Sequence, residues 1–100
     1  GAVTVASRDV EMNGVEVRKG AWLGLADGQA VAGGDSFDDV ARAVIAIMLA
    51  EPRGVLTLLT GEDPPELEAV LTEVASEHPD LELEVHQGGQ PHYPLLLAAE

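Results

Sequence analysis

The stretch GVLTLLTGEDPPELEAVLTEVASEHPDLELEVH, residues 54–86, decides the fold. Its first part, Val55 to Thr60, is a mostly apolar run of strand length, the pattern of a central strand. Asp63-Pro64-Pro65-Glu66 then carries the marks of a helix start: a capping carboxylate, proline in the first turn and Glu at the third position. Leu67, Val70, Leu71, Val74 and Ala75 recur at helical spacing, and Glu66, Glu68, Glu73 and Glu77 fill the opposite face. Pro79 ends the helix. Leu81 to His86 alternates strictly, with Leu81, Leu83 and Val85 on one face and Glu82, Glu84 and His86 on the other. Strand, helix and strand in that order predict a parallel pair with a right-handed crossover.

Upstream, Ser36 to Ala50 is a second helix. Ser36 caps it, and Asp38 and Asp39 sit in its first turn, where the helix dipole favours negative charge. Phe37, Val40, Ala41, Val44, Ile45 and Met48 form its apolar stripe, and Pro52 stops it. Residues 3–33 predict short strands at Val3–Val5, Val15–Val17 and Trp22–Leu25, with turn dipeptides Asn13-Gly14 and Asp27-Gly28. The second dipeptide predicts a tight hairpin between Trp22–Leu25 and Gln29–Ala32. After the loop Gln87 to Pro91, Tyr93 to Ala99 predicts a last strand with Pro94 at its start. The expected fold class is α/β: a mixed β-sheet with two main helices, a β-hairpin region followed by α-β-α-β-β, as a two-layer or three-layer sandwich. With two strand–helix–strand units, parallel pairing is expected at both. One domain is expected for 100 residues.

Charge bounds the function. Eighteen acidic residues face five basic ones, for a net charge of −13. The general field therefore repels a nucleic-acid backbone or an anionic membrane. Without cysteine there is no disulfide, thiol nucleophile or Cys-ligated metal. A hydrophobic content of 46% argues for a folded chain rather than an acidic disordered tail. The longest apolar run, Ala43 to Ala50, is far short of the ~20 residues of a membrane span. No signal segment opens the chain, a cytoplasmic setting is expected, and the first residue, Gly rather than Met, suggests a piece cut from a longer protein. The charge is also uneven. All five basic residues and eight acidic ones precede Gly54; the remainder has ten acidic residues and no Lys or Arg.

Three features bear on chemistry. Gly88-Gly89-Gln90-Pro91-His92-Tyr93-Pro94 is either a bend between strands or, through its backbone N–H groups, an anion nest. His86, His92 and Glu84 offer a His/His/carboxylate metal set, against the simpler alternative of surface histidines. The carboxylates on the helix and strand faces are ordinarily solvated. Trp22 and Tyr93 are expected to fill the core edge. No nucleophile elbow, phosphate loop or dinucleotide pattern occurs. Composition and spacing leave a basic protein partner as the surviving physical suggestion.

The elements Gly14-Val-Glu-Val-Arg-Lys-Gly20, Trp22-Leu-Gly-Leu-Ala-Asp-Gly28, Val31-Ala-Gly-Gly-Asp35, Leu58-Leu-Thr-Gly-Glu-Asp63 and Gly88-Gly-Gln-Pro-His-Tyr-Pro94 resemble the C-terminal end of the YloV/FakA family. These are DAK-like (dihydroxyacetone-kinase-related) proteins, the kinase component of bacterial fatty acid kinase. The resemblance runs from about residue 10 to Glu100. It implies a fold related to DegV/FakB fatty-acid-binding proteins, and a parent whose ATP and Mg²⁺ belong to an N-terminal domain outside this sequence. No cofactor or metal is then expected here. The family-typical residues are Gly61, Glu62, Asp63, Gly88, Gly89, Gln90, Pro91 and Pro94.

Three functions are thereby expected, in order. The first is a non-catalytic C-terminal module that docks a basic face of a DegV/FakB-like carrier, alongside the parent's other domains, through Glu62, Asp63, Glu66, Glu82 and Glu84. The second is an acyl-chain-binding domain with a pocket lined by Phe37–Ala50. The third is an autonomous enzyme built on His86 or His92.

Overall fold

The computed structural model describes residues 1–12, 14–51, 53–62, 65–91 and 93–100. The expectations for Asn13, Pro52, Asp63, Pro64 and His92 lie outside the described residues.

Among the described residues ten elements follow one another: β1 (Ala2–Val5), β2 (Val10–Met12), β3 (Val15–Val17), β4 (Trp22–Ala26), β5 (Gln29–Gly34), α1 (Phe37–Met48), β6 (Val55–Thr60), α2 (Glu68–Glu77), β7 (Glu82–Gln87) and β8 (Leu95–Ala99). Six strands form a mixed sheet in the order β5-β4-β1-β8-β6-β7, and β2 and β3 form a separate antiparallel ribbon. This is the expected α/β arrangement of a mixed sheet with two helices.

Local signals act as the sequence predicts. Asp27 and Gly28 both take positive φ, 52° and 77°, which the tight turn between β4 and β5 requires. The Ser36 hydroxyl accepts the Asp39 N–H and caps α1. The second helix departs from its expected start. Pro65 and Glu66 lie outside α2, and Leu67 opens the helix with no side-chain cap. Proline brings no N–H and its fixed φ only suits a first turn that continues; here the helical hydrogen bonds begin with Leu71 N–H to Leu67 C=O. Glu66 therefore belongs to the approach rather than to a helix face.

One pairing expectation is corrected. Among the described residues only β6 and β7, joined through α2, form a parallel pair. β5 and β6, joined through α1, are separated by β4, β1 and β8. The first and last strands fill that gap: β1 pairs with β8 at Ala2–Leu96 and Val3–Leu95, and the chain-terminal Gly1 exchanges backbone hydrogen bonds with Leu97. Such a pairing across nearly the whole chain leaves no local trace.

Both helices lie on one face of the sheet. Phe37, Val40, Ala41, Val44 and Ile45 of α1 and Val70 and Val74 of α2 share a core with Val3, Leu56, Leu58, Leu95 and Leu97. Gly24 is a point of close approach: a Cβ there would meet Val44 Cγ2 at 2.6 Å. Trp22 meets Phe37 edge-on with ring centroids 5.0 Å apart, so it closes the core edge as expected. Arg42 of α1 hydrogen-bonds Glu73 of α2 and, at 2.6 Å, Asp39. Those bonds, the Glu73 one foremost, raise the guanidinium pKa further above its ordinary value. The group is partly exposed, so the Glu73 pair links the two helices without stabilising them greatly, and the Asp39 pair lies within α1.

The opposite face has a partial cover. Val17 of the β2–β3 ribbon is buried on it, and a Cβ at Gly33 would overlap Val17. No helix among the described residues is long and apolar enough to cross a membrane.

Candidate functional site

The two most distinctive sequence elements, 27 residues apart at Gly61 and Gly88, meet where the parallel strands β6 and β7 end. In α/β sheets this carboxyl end is where functional loops gather. The Thr60 carbonyl accepts from both Gly88 N–H (2.8 Å) and Gly89 N–H (2.9 Å). Gly61 N–H donates to Pro94 C=O at 3.0 Å and Glu62 N–H to Gln90 C=O at 3.3 Å. The Gln90 side-chain amide closes the assembly, donating from Nε2 to Leu59 C=O (3.1 Å) and Tyr93 C=O (2.9 Å). Thr60 Oγ1 donates to His86 C=O at 3.3 Å.

This is a clip. Gly88, Gly89, Gln90, Tyr93 and Pro94 are fastened to the end of β6, just before β8 begins. The glycines have definite tasks. A Cβ on Gly61 would stand 2.4 Å from the Tyr93 carbonyl oxygen, and one on Gly88 would stand 2.1 Å from Gln90 Oε1. Gly89 turns the chain at φ 65°. The Gly88 and Gly89 N–H groups are committed to Thr60, so the loop serves as the bend of the two alternatives, and these donors are not free for an anion. Gln90→Ala removes both side-chain bonds from a partly exposed site and is expected to cost about 1 kcal/mol. A urea titration checks it: the midpoint falls while the slope is unchanged.

The carboxylates selected from sequence do not form one cluster. Glu62 and Glu66 lie beyond the end of β6, exposed. Glu82 sits beside Val55 at the start of the parallel pair and Glu84 beside Thr57. Glu62 is seven residues past Val55, so Glu82 and Glu62 are roughly 20 Å apart along the strands. Asp63 is outside the described residues. His86 and Glu84 share the exposed face of β7, with Nε2 and Oε2 3.9 Å apart. No group of three or more metal-ligating side chains occurs among the described residues.

The apolar face of α1, offered as a pocket lining, packs on Leu56, Leu58, Leu95 and Leu97. A cavity of about 390 Å³ does lie between α1 and α2, but Asp39, Arg42, Glu73, Glu77 and His78 contribute to its wall. Tyr93 is corrected: it is 40% exposed and stands on the clip rather than at the core edge. Sequence reasoning missed two functional-looking features. One is the role of Gln90 as the fastener, signalled only by its place after two glycines. The other is the apolar outer face of β6 and β8, signalled by the absence of alternation in both strands.

A family model for the C-terminal part of FakA-like fatty acid kinase matches residues 1–100. The chain belongs to this FakA-like C-terminal family. Among curated relatives, an uncharacterised protein of Staphylococcus haemolyticus is 39% identical over 102 residues, covering 100% of this chain and 18% of the relative. Uncharacterised proteins of Staphylococcus epidermidis and Staphylococcus aureus are each 32% identical over the whole chain, which covers 18% and 19% of them. The FakA-like C-terminal chain thus spans less than a fifth of the length of these relatives. The motif residues of the resemblance, Gly61, Gly88, Gly89, Gln90, Pro91 and Pro94, are in this FakA-like domain the parts and neighbours of the clip.

Proposed function

We propose that this FakA-like domain is a non-catalytic accessory module of a larger cytoplasmic kinase and docks a DegV/FakB-like fatty-acid carrier through an acidic surface. Family membership supplies the kinase setting. The observation that carries the docking is the placement of charge. The segment 54–100 has ten carboxylates and no Lys or Arg. Among the described residues, Glu73 alone of these is paired with an arginine. The other described carboxylates of this segment are exposed, where they raise the encounter rate with a basic surface and disfavour acidic ones. Phosphoryl transfer, with its ATP and Mg²⁺, belongs in this reading to other parts of the parent.

Competition tests it. Excess isolated chain, added to the parent kinase with carrier and ATP, should occupy the carrier and slow fatty-acid phosphorylation in proportion to chain added. An unchanged rate at large excess would contradict docking by this module. Phosphorylation by the chain alone would contradict its non-catalytic part.

A further inference from the structure

The outer face of β8, β6 and β7 lies on the side of the sheet away from the helices. Three rows cross it, each set by the strand register: His86, Leu59 and Leu96; Glu84, Thr57 and Ala98; Glu82, Val55 and Glu100. The helix-side residues of the same strands, Leu56, Leu58, Leu95 and Leu97, are buried. Their outward neighbours are not: Leu59 is 36% exposed and Ala98 is exposed.

A strand with one face in water alternates apolar and polar residues. Neither β6 (VLTLLT) nor β8 (LLLAA) does so. Leu59, Leu96, Ala98 and Val55 are the residues of a face that expects a cover. The ribbon covers the far end of the sheet through Val17 against Gly33. The β8-β6-β7 end is shielded less: Leu59 and Ala98 are exposed, and Val55, Thr57 and Leu96 are half-buried.

The rim identifies the occupant. Glu82, Glu84 and Glu100 border the aliphatic centre, and residues 54–100 contain no Lys or Arg. A second copy would bring the same carboxylates against these. We infer that this outer face is the docking surface itself, and that its occupant is a protein surface with an aliphatic centre and a Lys/Arg rim. The inference rests on the docking reading above and narrows it to one face. The outward side of α2, with Glu68, Ala69, Thr72, Ser76 and Glu77, offers charge without a comparable aliphatic centre.

The test uses the whole chain and the fatty-acid carrier as probe. In NMR titration of the unaltered chain, shifts should concentrate at residues 55–59, 82–86 and 96–100. Leu59→Lys with Glu84→Lys should weaken binding tenfold or more, and Glu68→Lys with Glu77→Lys less than threefold. Shifts centred on residues 68–77, with the outer face silent, overturn the assignment while leaving docking intact. The same holds if the α2 pair weakens binding and the outer-face pair does not. Concentration-dependent dimerisation that perturbs the outer face without carrier overturns the occupant. No binding by the unaltered chain overturns docking and this inference together. The titration needs no variant, so a misfolded variant does not spare the assignment.

Discussion

Gly61→Ala should unfold the domain at a temperature at least about 10 °C lower, a loss of about 3 kcal/mol. Gly61 is buried, and its φ is not in the left-handed region, so backbone conformation is not the issue. The obstacle is space. The added Cβ would stand 2.4 Å from the Tyr93 carbonyl oxygen and 2.8 Å from that of Gln90. Both are backbone atoms and cannot swing aside as the end of a side chain would. The backbone at Gln90 and Tyr93 must retreat, and the bonds Gly61 N–H to Pro94 C=O and Glu62 N–H to Gln90 C=O go with it. Overpacking of this kind costs about 1–3 kcal/mol, and each bond lost adds about 1. Gly34→Ala is the control, since nothing lies within 4 Å of its Cβ position. Its melting temperature should change by no more than a few degrees. Equal effects of the two substitutions, read by calorimetry, would refute the clip.

Leu58→Ala should cost about 3–4 kcal/mol. Leu58 is fully buried in β6, between β8 and β7 and beneath the helices. The cost has two parts: the transfer energy of the lost methyl and methylene groups, and the cavity left where rigid neighbours cannot close in. Those neighbours are the core of the sheet and both helices, so partial collapse is limited. Leu59→Ala, one residue on but facing outward, should cost well under half as much because water already reaches it. Chemical denaturation of the pair measures the contrast directly. Similar losses at both positions would mean that the sheet is covered on both faces.

That contrast also marks the limit of the sequence. Asp27-Gly28, Ser36 and the stripe from Phe37 to Met48 were legible because each acts within a few residues of itself: a turn needing positive φ, a cap, one helical face. The parallel β6–β7 pair was legible because a strand–helix–strand order has one economical solution. The placement of β1 beside β8 was not, since it joins residues more than ninety positions apart. The start of α2 was misplaced because Pro65 and Glu66 carry first-turn signals, yet the helix opens only at Leu67. The site divides the same way. The glycine elements stood out by composition, but their meeting at Thr60 and the fastening by Gln90 depend on the fold. The apolar run of β6 pointed to a central strand, and it is central within the sheet. Its outward residues are nonetheless left half-buried or, at Leu59, exposed, a property of layering that no single strand encodes.

The most direct measurement is the affinity of the 100-residue chain for its fatty-acid carrier as ionic strength is raised. Exposed charges separated by about 8–10 Å are screened at physiological salt and more fully above it. An acidic docking module should bind in low salt and lose affinity steadily, by about tenfold between 50 and 500 mM NaCl, chiefly through slower association. Affinity that is the same throughout, or no binding at any salt concentration, would contradict it.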